Sequence, residues 1–300
     1  MNRYQRMMNR IGDGAQILID GATGTEIEKR GVPQLDGAWN GGGALSHPDV
    51  LRQVHEDYLN AGAEIIIANT FATHLPALRE AGVAQDFDAL NRVGVELAAA
   101  ARDRVAAPDA LVAGGMSYWS WAGNWSGAED LRDCAREQAA IMADAGADLL
   151  MLEMMVDVDR MLVTLEAAQA SGLPVWVGLS CEPDDTGGMR LLRGGPLADA
   201  LTALEERDVR LISIMHTEVE DVDPCLDVVQ HHWAGPVGVY AHSARWSGQT
   251  GIFDQTIPPE DYASHAERWL DRGIDVVGGC CGLGTSHINA LHQMMKARAA

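Results

Sequence analysis

The sequence predicts an α/β protein whose single domain is a (β/α)8 barrel of the TIM type. Eight short apolar runs recur along the chain, helical patterns fill the gaps between them, and the length of 300 residues suits one such barrel. The runs are continuous rather than alternating, which is typical of strands buried on both faces of a parallel sheet. We assign residues 1–300 to this one domain, with residues 1–14 as an N-terminal extension. The predicted strands are 16–20, 64–69, 111–115, 148–153, 174–180, 210–216, 236–240 and 274–279.

Several of the predicted helices end in Ala-Gly, Ser-Gly or Arg-Gly directly before the next strand, a common way for a helix to stop. The junctions read "AGAEIII", "AGADLLM", "SGLPVWV" and "RGIDVVG". A doubly wound open sheet is the alternative architecture. However, the first strand is followed by "DGATGTE", which does not fit the Gly-x-Gly-x-x-Gly turn of dinucleotide-binding sheets. The unit from 21 to 63 is longer than the others, so we expect an extra loop or helix there.

Composition restricts the partners and the compartment. The net charge of −21 argues against binding to nucleic acids, whose phosphates it would repel. The amino-terminal residues lack the apolar segment of a signal peptide, and no run reaches the ~18 apolar residues of a membrane span. The five cysteines are an odd number, which favours the reducing cytoplasm, where clustered cysteines bind metal more often than they form bridges. We therefore expect a cytoplasmic protein without a membrane partner.

Polar residues at the strand ends are the candidate functional residues, because active sites of such barrels lie where the strands end. Acids, histidines and cysteines are frequent among them, which indicates a metal site with polar neighbours. The candidates are Asp20, Asn69, Thr70, Glu153, Ser180, Cys181, His216, His242, Cys280 and Cys281.

Two of these residues, Cys280 and Cys281, are adjacent in "VVGGCCGLGTSH". A strained vicinal disulfide, a pair of structural buried thiols and a metal clamp are three alternatives. Neighbouring side chains of a regular strand point to opposite faces, so both sulfurs reach one point only if the backbone turns. The glycines at 278, 279 and 282 give that freedom, which favours the metal clamp.

Zinc is the metal that this set of residues favours. Catalytic zinc sites use three protein ligands drawn from thiolates, imidazoles and carboxylates. With Cys280 and Cys281 as two of them, His216 is the first choice for the third, followed by His242 and Cys181.

The motifs along residues 16 to 295 resemble the homocysteine S-methyltransferase family, whose members are zinc-dependent (β/α)8 barrels. This resemblance implies that Cys280 and Cys281 are the paired zinc thiolates. It also implies that Asp20, with Gly21 beside it, and Glu153 hold the amino group of an amino-acid acceptor. Thr70 falls in the family's Asn-Thr-Phe turn beside the same ligand. The motifs are "DGATGTEIEKRG", "HEDYLNAGAEIIIANTF", "VAGG", "DLLMLEMMVDVDRM", "GLSCEPDDTGGMRLLRGGPLADAL" and "GGCCGLGTSHI".

Two motifs depart from the family pattern. The sixth strand of the family usually ends in Gly-x-Asn-Cys, whereas "SIMHT" places His216 where the third thiolate belongs, and the Pro-Asn-Ser-Gly segment appears as "AHSARW" at 241–246. A neutral imidazole in place of a thiolate makes the site more Lewis acidic, so a bound thiol loses its proton more easily. A zinc-dependent hydrolase or lyase on the same barrel is the first alternative function, and a non-catalytic ligand-binding homologue is the second.

The loop after the third strand, "MSYWSWAGNWSG", indicates the methyl donor. It contains Tyr118, Trp119, Trp121 and Trp125, and aromatic faces bind sulfonium and quaternary ammonium cations. The chain has no room for cobalamin or folate domains, so the donor should be a small cation of this kind. A lid that packs on a second subunit of a homo-oligomer is the alternative role of the loop. The donor site is completed in this prediction by Trp39, Trp246 and Arg245, the last for a carboxylate.

The predicted activity is therefore the transfer of a methyl group from a small cationic donor to a thiol, most simply to homocysteine, which yields methionine. We expect the zinc ion to bind and deprotonate the thiol, so that the transfer step itself needs no general base.

Overall fold

The computed structural model describes residues 1–243 and 256–299, together with the backbone of 245–246 and 253–254. Eight of the strands form one sheet, in which neighbouring strands run parallel in the order β1-β12-β9-β8-β5-β4-β3-β2. Two antiparallel ribbons, β6-β7 and β10-β11, lie outside this sheet. The strands are β1 (Ile17–Leu18), β2 (Ile65–Ala68), β3 (Leu111–Met116), β4 (Leu149–Met155), β5 (Val175–Leu179), β6 (Cys181–Pro183), β7 (Met189–Leu191), β8 (Leu211–Glu218), β9 (Val237–His242), β10 (Arg245–Trp246), β11 (Phe253–Asp254) and β12 (Val276–Val277).

The sheet closes on itself between its two outer strands. Ile19, just past β1, forms a parallel bridge with Ile65 of β2, and two backbone hydrogen bonds of 3.0 and 2.7 Å support it. All eight predicted strands are present within one or two residues of their predicted limits. The prediction of a single (β/α)8 barrel is confirmed.

Helices surround the sheet and connect consecutive strands. The long unit after β1 contains two additional short helices and a bridge between Leu35 and Trp39, as its length predicted. The helices are α1 (Arg3–Gly12), α2 (Thr23–Lys29), α3 (Gly43–Ser46), α4 (Pro48–Asn60), α5 (Leu75–Glu80), α6 (Phe87–Arg104), α7 (Ala128–Asp144), α8 (Val158–Gln169), α9 (Leu197–Leu204), α10 (Val222–His232), α11 (Pro259–Asp271) and α12 (Thr285–Ala299).

The N-terminal helix α1 covers the end of the barrel where the strands begin. Its Met7 and Ile11 are buried, and the indole Nε1 of Trp176 in β5 donates a hydrogen bond of 3.1 Å to the Tyr4 hydroxyl. Apolar burial of this kind stabilises by roughly 25 cal/mol per Å². The opposite end, where the strands finish, is therefore left for a site. None of the helices in the described ranges combines the length and the apolar character that a membrane crossing needs.

Two strands are irregular where they reach that open end. The register of β4 against β5 shifts between Leu152 and Met155, and the register of β8 against β9 shifts between Met215 and Glu218. In each shift one residue has a positive φ, 54° at Met154 and 43° at His216. Such bulges change the direction of side chains and are frequent beside active sites. Here they affect the strand ends that carry Glu153 and His216.

Candidate metal and substrate site

A cavity of about 340 Å³ opens where the strands end. Its walls contain three chemically distinct groups: a cluster of sulfur and imidazole donors, a buried acidic wall and an aromatic wall. All three are drawn from strand ends and from the loops that follow them, as the barrel architecture requires. The cavity is large enough for a small amino acid together with a small methyl donor.

The donor cluster consists of His216, Cys280 and Cys281. His216 Nδ1 lies 3.6 Å from Cys280 Sγ, and the two sulfur atoms are 3.9 Å apart. All three ligand atoms lie within 4.8 Å of one another. One side chain comes from the end of β8 and two follow β12, so the fold brings together residues that are 64 positions apart in sequence.

This cluster fits a tetrahedral metal ion. Bond lengths of about 2.3 Å to sulfur and about 2.0–2.1 Å to nitrogen put two sulfurs about 3.8 Å apart and a sulfur and a nitrogen about 3.6 Å apart. The observed separations of 3.9 and 3.6 Å match those values. Two thiols and one imidazole are also ligands that zinc binds well, and they leave one of four positions open.

The loop after β12 turns both sulfurs toward the cavity. The amide of Cys280 donates to the carbonyl of Ala241, and the amide of Leu283 donates back to the carbonyl of Cys280, which closes a turn. Gly282 lies in this turn with φ of +83°, a conformation that disfavours other residues. Both thiols are free, and their sulfur separation of 3.9 Å is far beyond the ~2.05 Å of a disulfide. The vicinal disulfide is therefore not formed.

The two other candidates for the third ligand lie outside the donor cluster. The ring of His242 packs on that of His216, with centroids 4.4 Å apart, and its Nε2 lies 3.1 Å from Glu218 Oε1. The thiol of Cys181 is hydrogen-bonded to Cys225, which together with burial raises its pKa well above the usual range. The first-choice residue, His216, is the one that the fold places beside the paired cysteines.

The acidic wall consists of Glu153, which lines the cavity, and of Asp20, which is buried directly before the lining residue Gly21 and is not itself one of the lining residues. Asp20 is almost fully buried; its Oδ2 accepts a hydrogen bond of 2.8 Å from the amide of Ile67, while Oδ1 has no partner within the described structure. Burial raises the pKa of Asp20 well above its ordinary range, and the charge of Glu153 raises it further. Burial also raises the pKa of Glu153, to about 8. Two buried carboxyls that both resist ionisation are suited to a cationic ligand, which favours their charged forms.

Glycines make room for this wall. A Cβ at position 115 would lie 2.5 Å from Glu153 Oε2, and one at position 21 would lie 2.3 Å from the carbonyl oxygen of Leu283. Gly21 itself lines the cavity. Neither glycine could carry a side chain without displacement of the acid or of the turn that holds the cysteines.

Thr70 is placed behind the cavity wall. Its side chain is fully buried, and its hydroxyl donates a 2.8 Å hydrogen bond to the carbonyl of Gly115. The residues on either side of it, Asn69 and Phe71, do line the cavity. Thr70 therefore contacts the strand that faces Glu153 and not the space that a ligand would fill.

The aromatic wall is formed by Trp39, Phe71, Trp119 and Trp121, all of which line the cavity. Phe71 and Trp121 meet edge to face, with ring centroids 6.1 Å apart. The loop that carries Trp119 is fixed by His74, whose Nε2 donates a 2.9 Å hydrogen bond to the Trp119 carbonyl. Burial lowers the pKa of this imidazole to about 4, so it stays neutral. The wall is apolar and rich in π-faces, as a site for a methylated cation should be.

Trp125, the remaining tryptophan of this loop, is not part of the cavity wall. It packs edge to face on Trp119, with centroids 5.8 Å apart. The guanidinium of Arg160 lies 5.1 Å from its ring and that of Arg193 lies 4.9 Å from the ring of Trp119. Trp125 thus supports the wall from behind. The expected contribution of Arg245 and Trp246 falls on side chains outside the described residues.

Sequence analysis missed Tyr240, Met154 and Met215, which also line the cavity. Tyr240 belongs to an apolar strand and therefore resembles a core residue. Met154 follows the candidate Glu153, and Met215 precedes the candidate His216. The usable signal for Tyr240 was its position as the last residue of the predicted seventh strand, where a phenol can reach the open end.

Comparison with known proteins assigns the chain to a family. The family model for homocysteine S-methyltransferase matches residues 17–295, nearly the whole barrel. Homocysteine S-methyltransferase 2 of Arabidopsis thaliana is 24% identical, with 95% of this chain and 94% of that protein covered. The selenocysteine methyltransferase of Astragalus bisulcatus is 26% identical, with 95% and 94% covered.

A solved structure agrees in both fold and extent. The homocysteine methyltransferase MmuM from Escherichia coli, in its metallated form, superimposes with a TM-score of 0.80 at 25% sequence identity. The match covers 99% of this chain and 100% of that one. The predicted thiol methyltransferase is confirmed, and the chain belongs to the homocysteine S-methyltransferase family.

Proposed function

We propose that this chain transfers a methyl group from a small sulfonium or quaternary ammonium donor to the thiol of homocysteine, with zinc held by His216, Cys280 and Cys281. The observation that carries the proposal is the separation of the three ligand atoms, 3.6 Å and 3.9 Å for the two closest pairs, which suits a tetrahedral zinc site. Zinc bound there supplies the positive charge that keeps an acceptor thiol deprotonated at neutral pH.

The acidic wall supports an amino acid as the acceptor. The partnerless Oδ1 of Asp20 and the carboxyl of Glu153 offer acceptors to an ammonium group, and a cation bound between them would restore the ionised forms that burial disfavours. An acceptor tied down at its amino end presents its thiol at a fixed distance. That positioning is the main contribution of these two residues to the rate.

The aromatic wall supports a cationic methyl donor. Trp39, Trp119 and Trp121 line the cavity, and each cation–π contact with such a ring contributes roughly 0.5–2 kcal/mol. No lysine or arginine is among the described residues that line the cavity, so nothing there repels a sulfonium or ammonium group.

The same thiols support a cytoplasmic location. Adjacent free cysteines are kept reduced most readily in the cytoplasm, and we place the protein there. The selenocysteine methyltransferases among the relatives suggest that a selenol is a second acceptor to examine.

The test is a transfer assay on the zinc-loaded protein. Homocysteine is supplied with S-methylmethionine, S-adenosylmethionine, betaine or dimethylsulfoniopropionate in turn, and methionine is measured by mass spectrometry. We expect methionine with at least one donor, its loss in Cys280→Ser, and its retention in Cys134→Ser. Cys134 is an equally free cysteine in α7, outside the cavity, and so serves as the matched control. Failure to form methionine with every donor, or full activity of Cys280→Ser, would contradict the proposal.

A further inference from the structure

Tyr240 of β9 places its hydroxyl inside the barrel mouth. The side chain lines the cavity but is only 1% exposed. It reaches across β8 toward Gly178 of β5, where an added Cβ would lie 2.6 Å from the hydroxyl oxygen. The absence of a side chain at Gly178 is therefore what allows the phenol to occupy this position.

The hydroxyl of Tyr240 has no hydrogen-bond partner within the described part of the chain. A buried polar group without a partner costs about 1–3 kcal/mol, so few are retained without a reason. Two other buried tyrosines have partners, since the hydroxyl of Tyr262 donates to the carbonyl of Gly278 and that of Tyr118 donates to the carbonyl of Asp157. The buried hydroxyl of Tyr58 also lacks a partner among the described residues, but Tyr58 does not line the cavity. Because Tyr240 lines the cavity, the missing partner can come from a ligand.

The hydroxyl of Tyr240 is surrounded by acidic side chains. Burial raises the pKa of Tyr240 well above its usual value, and negative charge on Glu153, Cys280 and Asp20 raises it further. The phenol therefore stays protonated and neutral. An ammonium group beside this hydroxyl would favour the charged forms of Asp20 and Glu153, which burial otherwise keeps protonated.

We propose that the hydroxyl oxygen of Tyr240 is the third acceptor for the primary ammonium group of the acceptor amino acid, beside Asp20 and Glu153. This assignment rests on the proposed function and adds a specificity residue to it. A primary ammonium has three N–H donors, and Asp20 Oδ1, the carboxyl of Glu153 and this oxygen supply three acceptors. A third carboxyl in this place would itself stay protonated beside two buried acids, so a neutral phenol serves better.

The experiment measures equilibrium binding and needs no methyl donor. Homocysteine and 4-sulfanylbutanoic acid, which lacks only the amino group, are titrated calorimetrically into zinc-loaded wild type and Tyr240→Phe. A hydrogen bond to a charged group predicts a roughly tenfold to hundredfold loss of homocysteine affinity in the variant. Binding of the des-amino thiol should be unchanged. The ligand-free variant should melt at the same temperature as wild type or higher, because its lost hydroxyl had no partner.

Tyr262→Phe is the matched control, since it removes a buried hydroxyl that is bonded to backbone and lies outside the cavity. It should lower the melting temperature without discriminating between the two thiols. Equal losses for both thiols in Tyr240→Phe, or no loss for either, would overturn the assignment. So would wild type that binds both thiols equally well. If wild type prefers homocysteine through Tyr240 but forms no methionine with any donor, the assignment stands and the proposed transfer reaction fails.

Discussion

His216 and Cys280 meet at the mouth of the barrel, with 3.6 Å between Nδ1 of the imidazole and Sγ of the thiol. His216 lies near the end of β8, and Cys280 follows β12. The two strands are separated in the sheet by β9. The positive φ of His216 and the register shift around it turn the imidazole toward the cysteines. An imidazole thus occupies the position at which the resemblance to the family predicts a third thiolate.

The first prediction concerns this imidazole. His216→Cys should keep one zinc ion per chain, because a thiolate in the same place completes an equally good tetrahedral set, whereas His216→Ala should lose most of the metal. Metal analysis of the purified, desalted proteins measures this. His242→Ala, which alters the neighbouring ring outside the donor cluster, should retain its zinc. Full zinc in His216→Ala would remove this residue from the site.

The second prediction concerns the donor. Trp121→Leu should raise the KM for the methyl donor about twofold to thirtyfold, the equivalent of one lost cation–π contact, with little change in the KM for homocysteine. Steady-state kinetics with each substrate varied in turn measures both values. Trp233→Leu is the control, because Trp233 donates to the Pro236 carbonyl at the start of β9, away from the cavity. An unchanged donor KM in Trp121→Leu would exclude this ring from the donor site.

The third prediction follows from the raised pKa of Glu153, about 8 in the folded protein against an ordinary 4.5. Between these values the folded state keeps a proton that the unfolded state releases, so the free energy of unfolding falls as pH rises from about 4.5 to 8. Glu153→Gln removes this dependence. We therefore compare the free energies of unfolding of the ligand-free variant and wild type at two pH values. Their difference should shift in favour of the variant by on the order of 3 kcal/mol between pH 4.5 and pH 8.

Urea unfolding across that pH range measures the effect, with the exposed Glu96→Gln as the control. The same Glu153→Gln variant should bind homocysteine much more weakly, because it loses one of the acceptors for the ammonium group. Parallel stability curves for Glu153→Gln and wild type would show that the carboxyl ionises normally.

The fourth prediction uses His55, a fully buried imidazole of α4 whose two nitrogens have no partner within the described structure. Burial lowers its pKa from 6.5 to about 4. Between pH 6.5 and pH 4 the unfolded state binds a proton that the folded state does not bind. The free energy of unfolding is therefore highest above pH 6.5 and falls as the pH is lowered toward 4. His55→Leu should gain about 2 kcal/mol relative to wild type between pH 7 and pH 5, as judged by urea unfolding. The exposed His231→Gln should show no such gain.

Much of the fold could be predicted because periodicity and helix stops are local properties. The runs 148–153 and 274–279 each contain consecutive apolar residues, and they form strands β4 and β12 of the sheet. The donor cluster could be predicted because the carboxyl ends of all the parallel strands in a closed barrel lie at one rim.

The details that sequence could not supply depend on the backbone beyond a single element. The residues "LLMLEMM" do not indicate the bulge or the positive φ at Met154, because a bulge exists only relative to the register of a neighbouring strand. The path of the tryptophan loop decides that Trp121 faces the cavity while Trp125 lies behind Trp119. Tyr240 was overlooked because a phenol within an apolar strand looks like core until the facing glycine is known.

The most direct test of the metal site is zinc K-edge X-ray absorption on the wild-type protein in the absence of substrate. We expect two sulfur ligands at about 2.3 Å and a histidine nitrogen at about 2.0–2.1 Å, with a light atom as the fourth ligand. Addition of homocysteine should raise the number of sulfur ligands from two to three. A spectrum with no sulfur ligands, or a protein that cannot retain zinc at all, would show that His216, Cys280 and Cys281 do not hold one zinc ion.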